Sequence, residues 1–178
     1  MNDMERDMIR DIIERRSCKS YKPDPVPWEL VDQVIEAGLH AASGLNRQSG
    51  KILAVTNREI RDRLSALNAK YDPKKRPDPF YNAPVVLVVF ADRSEPMGIY
   101  DGSLMLGNMM MAAKALGLGS CWIHRAAEVL DDPEGKEILQ KAGLTGSYIG
   151  IGNLVLGWPE VMPEGALKRK EERVYRLD

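Results

Sequence analysis

The first forty residues contain two stretches in which apolar positions recur at the spacing of an α-helix. The first predicts a helix that ends near Ser17 and has one apolar face. The second predicts a helix that begins around Pro27–Trp28, where proline suits the first turn. The segment Tyr21–Pro27 between them contains prolines at every second position, which favour an extended backbone.

Two later runs, Pro84–Phe90 and Tyr148–Leu156, are apolar almost throughout, which is typical of strands covered on both faces. Gly98–Leu116 is apolar nearly all round and predicts a buried helix. Asn68–Asn82 shows no periodicity and predicts a loop or lid. The remaining predicted elements are a strand at Lys51–Thr56, a helix at Arg58–Leu67, a strand at Ser120–Ile123 and a helix at Pro133–Ala142.

This order of elements indicates an α+β fold in which helices pack on one sheet. The chain has 178 residues, which fits a single domain over residues 1–178. A long helix without a polar face needs more covering than so short a chain offers. Dimerisation is one physical answer, because obligate interfaces resemble a core cut in half.

Composition narrows the function. A formal net charge of -1 argues against nucleic-acid binding, which needs a basic surface. Two cysteines and two histidines in no metal-like spacing leave little material for a zinc site. The longest apolar stretch, Leu104–Ala113, is too short for a membrane span of about 20 residues, and the acidic N-terminus does not resemble a signal peptide. We therefore expect a cytoplasmic protein.

The first candidate site group is Arg15, Arg16, Ser17 and Lys19, where the first helix ends. Guanidinium groups match phosphate oxygens bidentately, so this group is a candidate phosphate site. Taken alone, cations at a helix C-terminus equally complement the helix dipole.

The second group is Ser43, Gly44, Asn46 and Gln48, after the second helix. Small residues allow close approach to a flat ligand, and the two amides offer donors and acceptors to a pyrimidine-like edge. The alternative is an ordinary helix C-cap followed by a polar loop.

The third group comprises Cys121, Trp122, Ile123 and His124, on a strand that follows Gly117 and Gly119 and that could present backbone groups to a ligand. An ordinary helix-to-strand turn is the alternative. Cys121 is a weak candidate nucleophile because no histidine–acid constellation accompanies it. The fourth group, Lys168 and Lys170, is otherwise a solvated tail.

Together these motifs resemble, in order and spacing, those of the small nitroreductase-type flavoproteins, and the resemblance covers essentially the whole chain. The matching motifs are Arg-Arg-Ser at 15–17, Ser-Gly-x-Asn-x-Gln at 43–48, Ala83-Pro84 before an apolar strand, Gly-Leu-Gly-Ser-Cys-Trp-Ile at 117–123, Gly157-Trp158-Pro159 and Lys-x-Lys at 168–170.

The resemblance implies a nitroreductase-like fold with a central, mostly antiparallel sheet, in a domain-exchanged homodimer that binds FMN in a groove at its interface. It assigns the phosphate and the pyrimidine edge to Arg15, Arg16 and Ser17, with Lys19 as a further contact and Lys168 and Lys170 as a cationic pair at the phosphate. It assigns the loop that reaches the flavin from the partner subunit to Ser43, Gly44, Asn46 and Gln48. It places the backbone of the turn formed by Trp122, Ile123 and His124 at flavin N5, with Cys121 beside it, and it implies that residues 157–178 form a tail that reaches the partner.

The implied activity is reduction of quinones, nitroaromatics or similar acceptors by NAD(P)H through a ping-pong mechanism, with no catalytic acid, base or metal from the protein. Three alternatives stay open: a dehalogenating or flavin-fragmenting relative of the same fold, an azoline-type dehydrogenase, and a non-catalytic flavin-binding protein. The chain departs from the usual family pattern at Ala42, where proline is common, and at Ser49-Gly50, where Pro-Trp is common. Both departures concern the shape of the partner-subunit loop.

Overall fold

A computed structural model describes residues 3–163, 165 and 167–177 of the chain, with side chains described from residue 8. Its centre is a four-stranded sheet in which all neighbouring strands are antiparallel, which confirms the predicted α+β class. The strands are β1 (Gly50–Val55), β2 (Val85–Asp92), β3 (Gly119–Ile123) and β4 (Tyr148–Gly157), in the order β1-β2-β4-β3. The short strands β1 and β3 therefore form the two edges.

Helices cover both faces of this sheet. They are α1 (Asp3–Glu14), α2 (Trp28–Leu39), α3 (Arg58–Lys70), α4 (Gly98–Ala115), α5 (Ala126–Asp131) and α6 (Pro133–Lys141). One face packs against α2 and α4, and the other packs against α3, α5 and α6. Strand β2 supplies Val86 and Val88 to one core and Leu87 and Val89 to the other, all fully buried, as its unbroken apolar run predicts.

Local signals explain several helix boundaries. The Asn57 side chain caps α3 by accepting from the backbone N–H of Ile60 at 3.0 Å. Asp132 caps α6 in the same way, and Pro133 stands at its first position. Gly117 follows α4 at a φ of 72°, a conformation that glycine adopts without a steric penalty.

Helix α4 departs from the prediction of a fully buried helix. Met105, Leu106 and Met109 are buried against α2 and the sheet, but Ile99, Tyr100 and Leu104 are at least half exposed. The reason is that the neighbouring elements of one chain enclose only part of the helix circumference. Nowhere in the described part of the chain is a helix long and apolar enough to cross a membrane.

The predicted loop or lid over Asn68–Asn82 is shorter and more tightly held than expected. Helix α3 continues to Lys70, and Phe80 is fully buried in the core. Asp78 accepts hydrogen bonds from Arg61 at 2.7 Å and from Ser65 at 2.5 Å. Burial alone would raise the pKa of Asp78, but these hydrogen bonds outweigh burial and lower it. Residues 71–82 are therefore anchored at several points.

Candidate functional site

The chain leaves α1 and runs beside the edge strand β3. Ser17 and Ser120 form a parallel bridge, and the backbone N–H of Cys18 donates to the Ser120 carbonyl at 2.9 Å. Two of the sequence groups, far apart along the chain, therefore lie side by side in the structure. The group at residues 15–19 contributes cations and the Ser17 hydroxyl. The group at residues 121–124 belongs to the edge strand β3 and the turn that follows it.

The two arginines of this region have unused donors. Arg16 is 6% exposed and donates from Nε to the Gly165 carbonyl at 2.6 Å and from Nη1 to the carbonyls of Ile13 and Arg15. Arg16 Nη2 and Arg15 Nη1 are buried and have no hydrogen-bond partner among the residues that the structure describes. Buried charged donors without partners are costly, so two of them on consecutive residues fit an anionic ligand.

Cys121 faces the interior of the protein. Its side chain is 5% exposed and packs in the core shared with α3 and α5. Burial raises the pKa of the Cys121 thiol, although a hydrogen bond with Ser17 and the charges of Lys19 and Arg15 act in the opposite direction. The side chain is thus a neutral thiol at neutral pH, buried in the core.

Beyond Cys121 the strand ends in a turn that other elements hold firmly. Asn68, fully buried, donates to the His124 carbonyl at 2.8 Å, and Asn153, 1% exposed, donates to the Ile123 carbonyl at 3.4 Å. Arg125 adopts the left-handed conformation at a φ of 76°, which non-glycine residues seldom adopt. Such strain persists only where the surroundings impose it.

The surroundings of Arg125 come from the end of α3. Its Nε donates to the Tyr71 carbonyl at 2.9 Å, and its Nη2 lies 3.3 Å from Oδ1 of the fully buried Asp72. Burial alone would raise the pKa of Asp72, but hydrogen bonds from Arg76 and from two backbone N–H groups lower it to about 2. The turn is therefore fixed by an ionised carboxylate.

The sequence reasoning missed these supporting residues. Asn153 gave a usable signal, since it is the polar side chain within the apolar run of β4. Asn68 and Asp72 gave none, because they look like ordinary loop residues until the fold brings them to the turn. On the turn itself, Trp122 and His124 are exposed while Ile123 points into the core.

The second group of the sequence lies on the opposite edge of the sheet, before β1. Gly44–Asn46 forms a single 3₁₀ turn, and the Gln48 side chain donates from Nε2 to Asn46 Oδ1 at 3.1 Å. Both amides are exposed. Ser49, one of the departures from the family pattern, donates from its hydroxyl to Asp101 at 2.7 Å.

One chain does not bring the two halves of the candidate site together. Strands β1 and β3 are three strand spacings apart, about 14 Å at about 4.8 Å each. Ser120 pairs with Leu156, which pairs with Val85, whereas Gly50 pairs with Ala91 further along β2. Six residues along a strand span about 20 Å. The two groups thus lie near diagonal corners of the sheet.

The C-terminal tail contacts the corner of the sheet beside Arg16 and Ser17, where the Gly165 carbonyl accepts from Arg16 Nε. Lys168 is 89% exposed and pairs with Glu171 at 3.7 Å, and Lys170 is exposed as well. Residues 164, 166 and 178 of the predicted tail lie outside the described residues. In the described part of the tail beyond Pro159 no strand forms, although Val174–Leu177 alternates as an edge strand would.

Comparison with known proteins identifies the class. The Nitroreductase family model matches residues 12–157, and the chain belongs to this family. A Bacillus subtilis relative named FMN reductase (NAD(P)H) is 27% identical over 176 residues, covering 86% of this chain and 66% of the relative. The chain spans about 60–66% of the length of such curated relatives.

Two solved structures have the same fold. A nitroreductase with bound FMN from Bacteroides fragilis superposes with a TM-score of 0.83 at 25% identity, and the match covers 100% of each chain. A second nitroreductase with bound FMN, from Desulfitobacterium hafniense, gives a TM-score of 0.86 at 22% identity and covers 99% of this chain and 100% of the other. The predicted family and fold are confirmed.

Proposed function

We propose that the protein is an NAD(P)H-dependent FMN oxidoreductase that works as a homodimer and reduces quinones, nitroaromatics or similar acceptors. The observation that carries this proposal is the pair of buried, unpartnered guanidinium nitrogens of Arg15 and Arg16. An FMN phosphate would supply the missing acceptors as charge-assisted hydrogen bonds. The FMN reductase of B. subtilis and the NADPH-flavin oxidoreductase of Vibrio harveyi, 29% identical over 170 residues, support the redox class.

Each sequence group has a place in this proposal. Arg15, Arg16, Ser17 and Lys19 hold the phosphate side, joined by Lys168 and Lys170 from the tail. The backbone of Cys121–His124 lines the reactive edge of the ring. The amide loop of the site comes from the partner subunit, because the loop of the same chain lies near the diagonal corner of the sheet and is too far from Arg15 and Arg16. This loop contains Ser43, Gly44, Asn46 and Gln48.

Exposed apolar side chains support the homodimer. Helix α1 exposes Met8, Ile9, Ile12 and Ile13 by 47–64%, and α4 exposes Ile99, Tyr100 and Leu104 by 51–65%. Patches of this kind on a small chain are typical of an interface. A second copy of the chain would cover them and at the same time bring its own loop to the first corner.

Bound FMN supplies the hydride chemistry, and the protein orients it. The fixed turn at Ile123–Arg125 holds its backbone groups in place, so little reorganisation is needed at the reacting edge. Cys121 stays a buried thiol and takes no covalent part. The nicotinamide and the acceptor would occupy the same open face in turn, which requires no acid, base or metal from the chain.

The purified protein tests this proposal directly. We expect a yellow protein that releases about one FMN per chain on denaturation, because the two arginines suit a terminal monophosphate. We expect parallel lines in double-reciprocal plots with NAD(P)H and a simple quinone. Release of FAD, or no flavin after reconstitution, would contradict the cofactor, and intersecting lines would contradict the shared site.

A further inference from the structure

The loop that precedes β1 is strained. Leu45, Asn46 and Gln48 have φ values of 54°, 54° and 50°, so three non-glycine residues in a row of four adopt the left-handed conformation. A short exposed loop does not keep such a backbone unaided. Some other part of the molecule must therefore impose its shape.

The side chain that imposes it is Asp101, in the first turn of α4. Its Oδ1 accepts from the backbone N–H of Gly44 at 2.9 Å, and its Oδ2 accepts from the Ser49 hydroxyl at 2.7 Å. One carboxylate thereby ties both ends of the loop. Asp101 is 4% exposed, and its position near the N-terminus of α4 favours a negative charge.

The same stripe of α4 shapes the loop by contact. Asp101 and Met105 are four residues apart on one side of the helix, and Met97, the residue just before α4, is four residues before Asp101. A Cβ atom at Gly44 would lie 3.0 Å from Met97 Cγ, and one at Gly50 would lie 2.1 Å from Met105 Sδ. The backbone therefore lies directly on α4, and Asp101 fixes where it does so.

The loop presents its functional groups outward. The Asn46 and Gln48 side chains are exposed and joined to each other, and Leu45 is 89% exposed. Exposed Ile99 and Tyr100 follow Met97 on α4, so the loop belongs to the apolar surface that the proposed homodimer covers. Groups held this way are pre-organised for a ligand on another subunit.

We infer that Asp101 is a positioning residue that acts across the dimer: its carboxylate holds the 43–49 loop in the shape in which Asn46 and Gln48 meet the flavin bound by Arg15 and Arg16 of the other subunit. This inference rests on the proposed function. Asp101 does not touch the flavin, and it acts through the loop alone.

Amide hydrogen exchange of the flavin-free protein tests the positioning. Asp101→Ala should raise exchange across residues 44–49, and Ser49→Ala should raise it less, because one of the two ties remains. Ser103→Ala is the matched control, since among the described residues its hydroxyl bonds only within α4, to the Ile99 carbonyl. In Asp101→Asn the amide accepts from Gly44 and donates to Ser49, so protection should return. Unchanged exchange in folded Asp101→Ala or Ser49→Ala would overturn the positioning role.

Subunit complementation tests the action across the dimer. Arg16→Ala and Asp101→Ala homodimers should each bind FMN more weakly, the latter by about tenfold as expected when a loop must be ordered on binding. A hybrid with one subunit of each kind contains one site with both groups intact. It should bind about one FMN per dimer with wild-type affinity. A hybrid in which both sites are weak would place both groups in one subunit and overturn the inference.

The two failures are distinguishable. Wild-type protein that binds no flavin refutes the proposed function, and the exchange measurements still decide whether Asp101 holds the loop. Wild-type protein that binds FMN, together with a folded Asp101→Ala variant of unchanged affinity, leaves the function intact and refutes the inference.

Discussion

The sharpest test of the phosphate site is the substitution Arg16→Ala. The change removes the unpartnered Nη2 donor, which we assign to the FMN phosphate. It also removes three hydrogen bonds to the carbonyls of Ile13, Arg15 and Gly165, at 2.6–2.9 Å. Arg16 therefore has two tasks, since it closes the end of α1 against the tail and it offers a donor to the ligand. A useful experiment must separate them.

The expected magnitudes are similar for the two tasks. A hydrogen bond between a charged donor and an acceptor contributes about 1.5–3 kcal/mol, which corresponds to a loss of FMN affinity of about ten- to a hundredfold. The three backbone contacts also have a charged donor, so together they contribute at least a comparable amount to folding. The variant should thus be both less stable and poorer at binding, and a simple loss of flavin is ambiguous.

Comparison of FMN with riboflavin, which lacks the phosphate, removes the ambiguity. We expect Arg16→Ala to lower the affinity of the flavin-free protein for FMN, measured by fluorescence titration, much more than its affinity for riboflavin. A structural effect would lower both equally. Arg58→Ala is the control, because Arg58 is 78% exposed and pairs only with Asp62 among the contacts described. An unchanged ratio of the two affinities in Arg16→Ala would refute the phosphate assignment.

Three further predictions concern Asp72, Cys121 and the C-terminal tail. The lowered pKa of Asp72, about 2 against 3.8, stabilises the fold above pH 4, and this contribution is lost as the pH falls from about 4 to about 2. Thermal melts over this range should therefore be less pH-dependent in Asp72→Asn, and equal dependence would contradict the buried ionised carboxylate. Cys121→Ser should keep quinone reductase activity in steady-state assays. Loss of activity in a variant that still carries flavin would instead support Cys121 as a nucleophile. Truncation after Pro159 should reduce FMN content and dimerisation together, as measured by absorbance and sedimentation, and a truncated dimer with full flavin would refute the tail's role.

Elements with a strong periodic pattern were predictable from the sequence. The apolar runs of β2 and β4 and the helical spacing of α2 and α4 gave elements within a few residues of their true bounds. Helix α5 was missed, because six residues are too few for a period to show. The anchoring of residues 71–82 was also hidden, since Asp72 and Asp78 find their partners in Arg125 and Arg61 only after folding.

The candidate site was predictable only as separate groups. Motifs indicated a cationic segment, an amide loop and a strand edge, but their relative positions depend on the sheet. Ser17 lies beside Ser120 through an isolated bridge, and the amide loop lies near the diagonal corner because of the strand order and register. Asp101 was hidden for a related reason: an acid in an apolar helix looks like an exception until its two partners in the loop are known.

Three costly features of the single chain point to one cause. Arg15 and Arg16 keep buried donors without partners, α1 and α4 expose apolar side chains, and the 43–49 loop is held in a strained shape on the same surface. A two-fold symmetric pairing buries the same surface on both copies, so each loop would meet the other copy's arginines and two identical sites would form. Flavin binding and dimerisation would then be linked equilibria, because a ligand that contacts both subunits stabilises the assembled form. Dilution of the protein should therefore lower its apparent affinity for FMN, and excess FMN should lower the concentration at which the subunits associate.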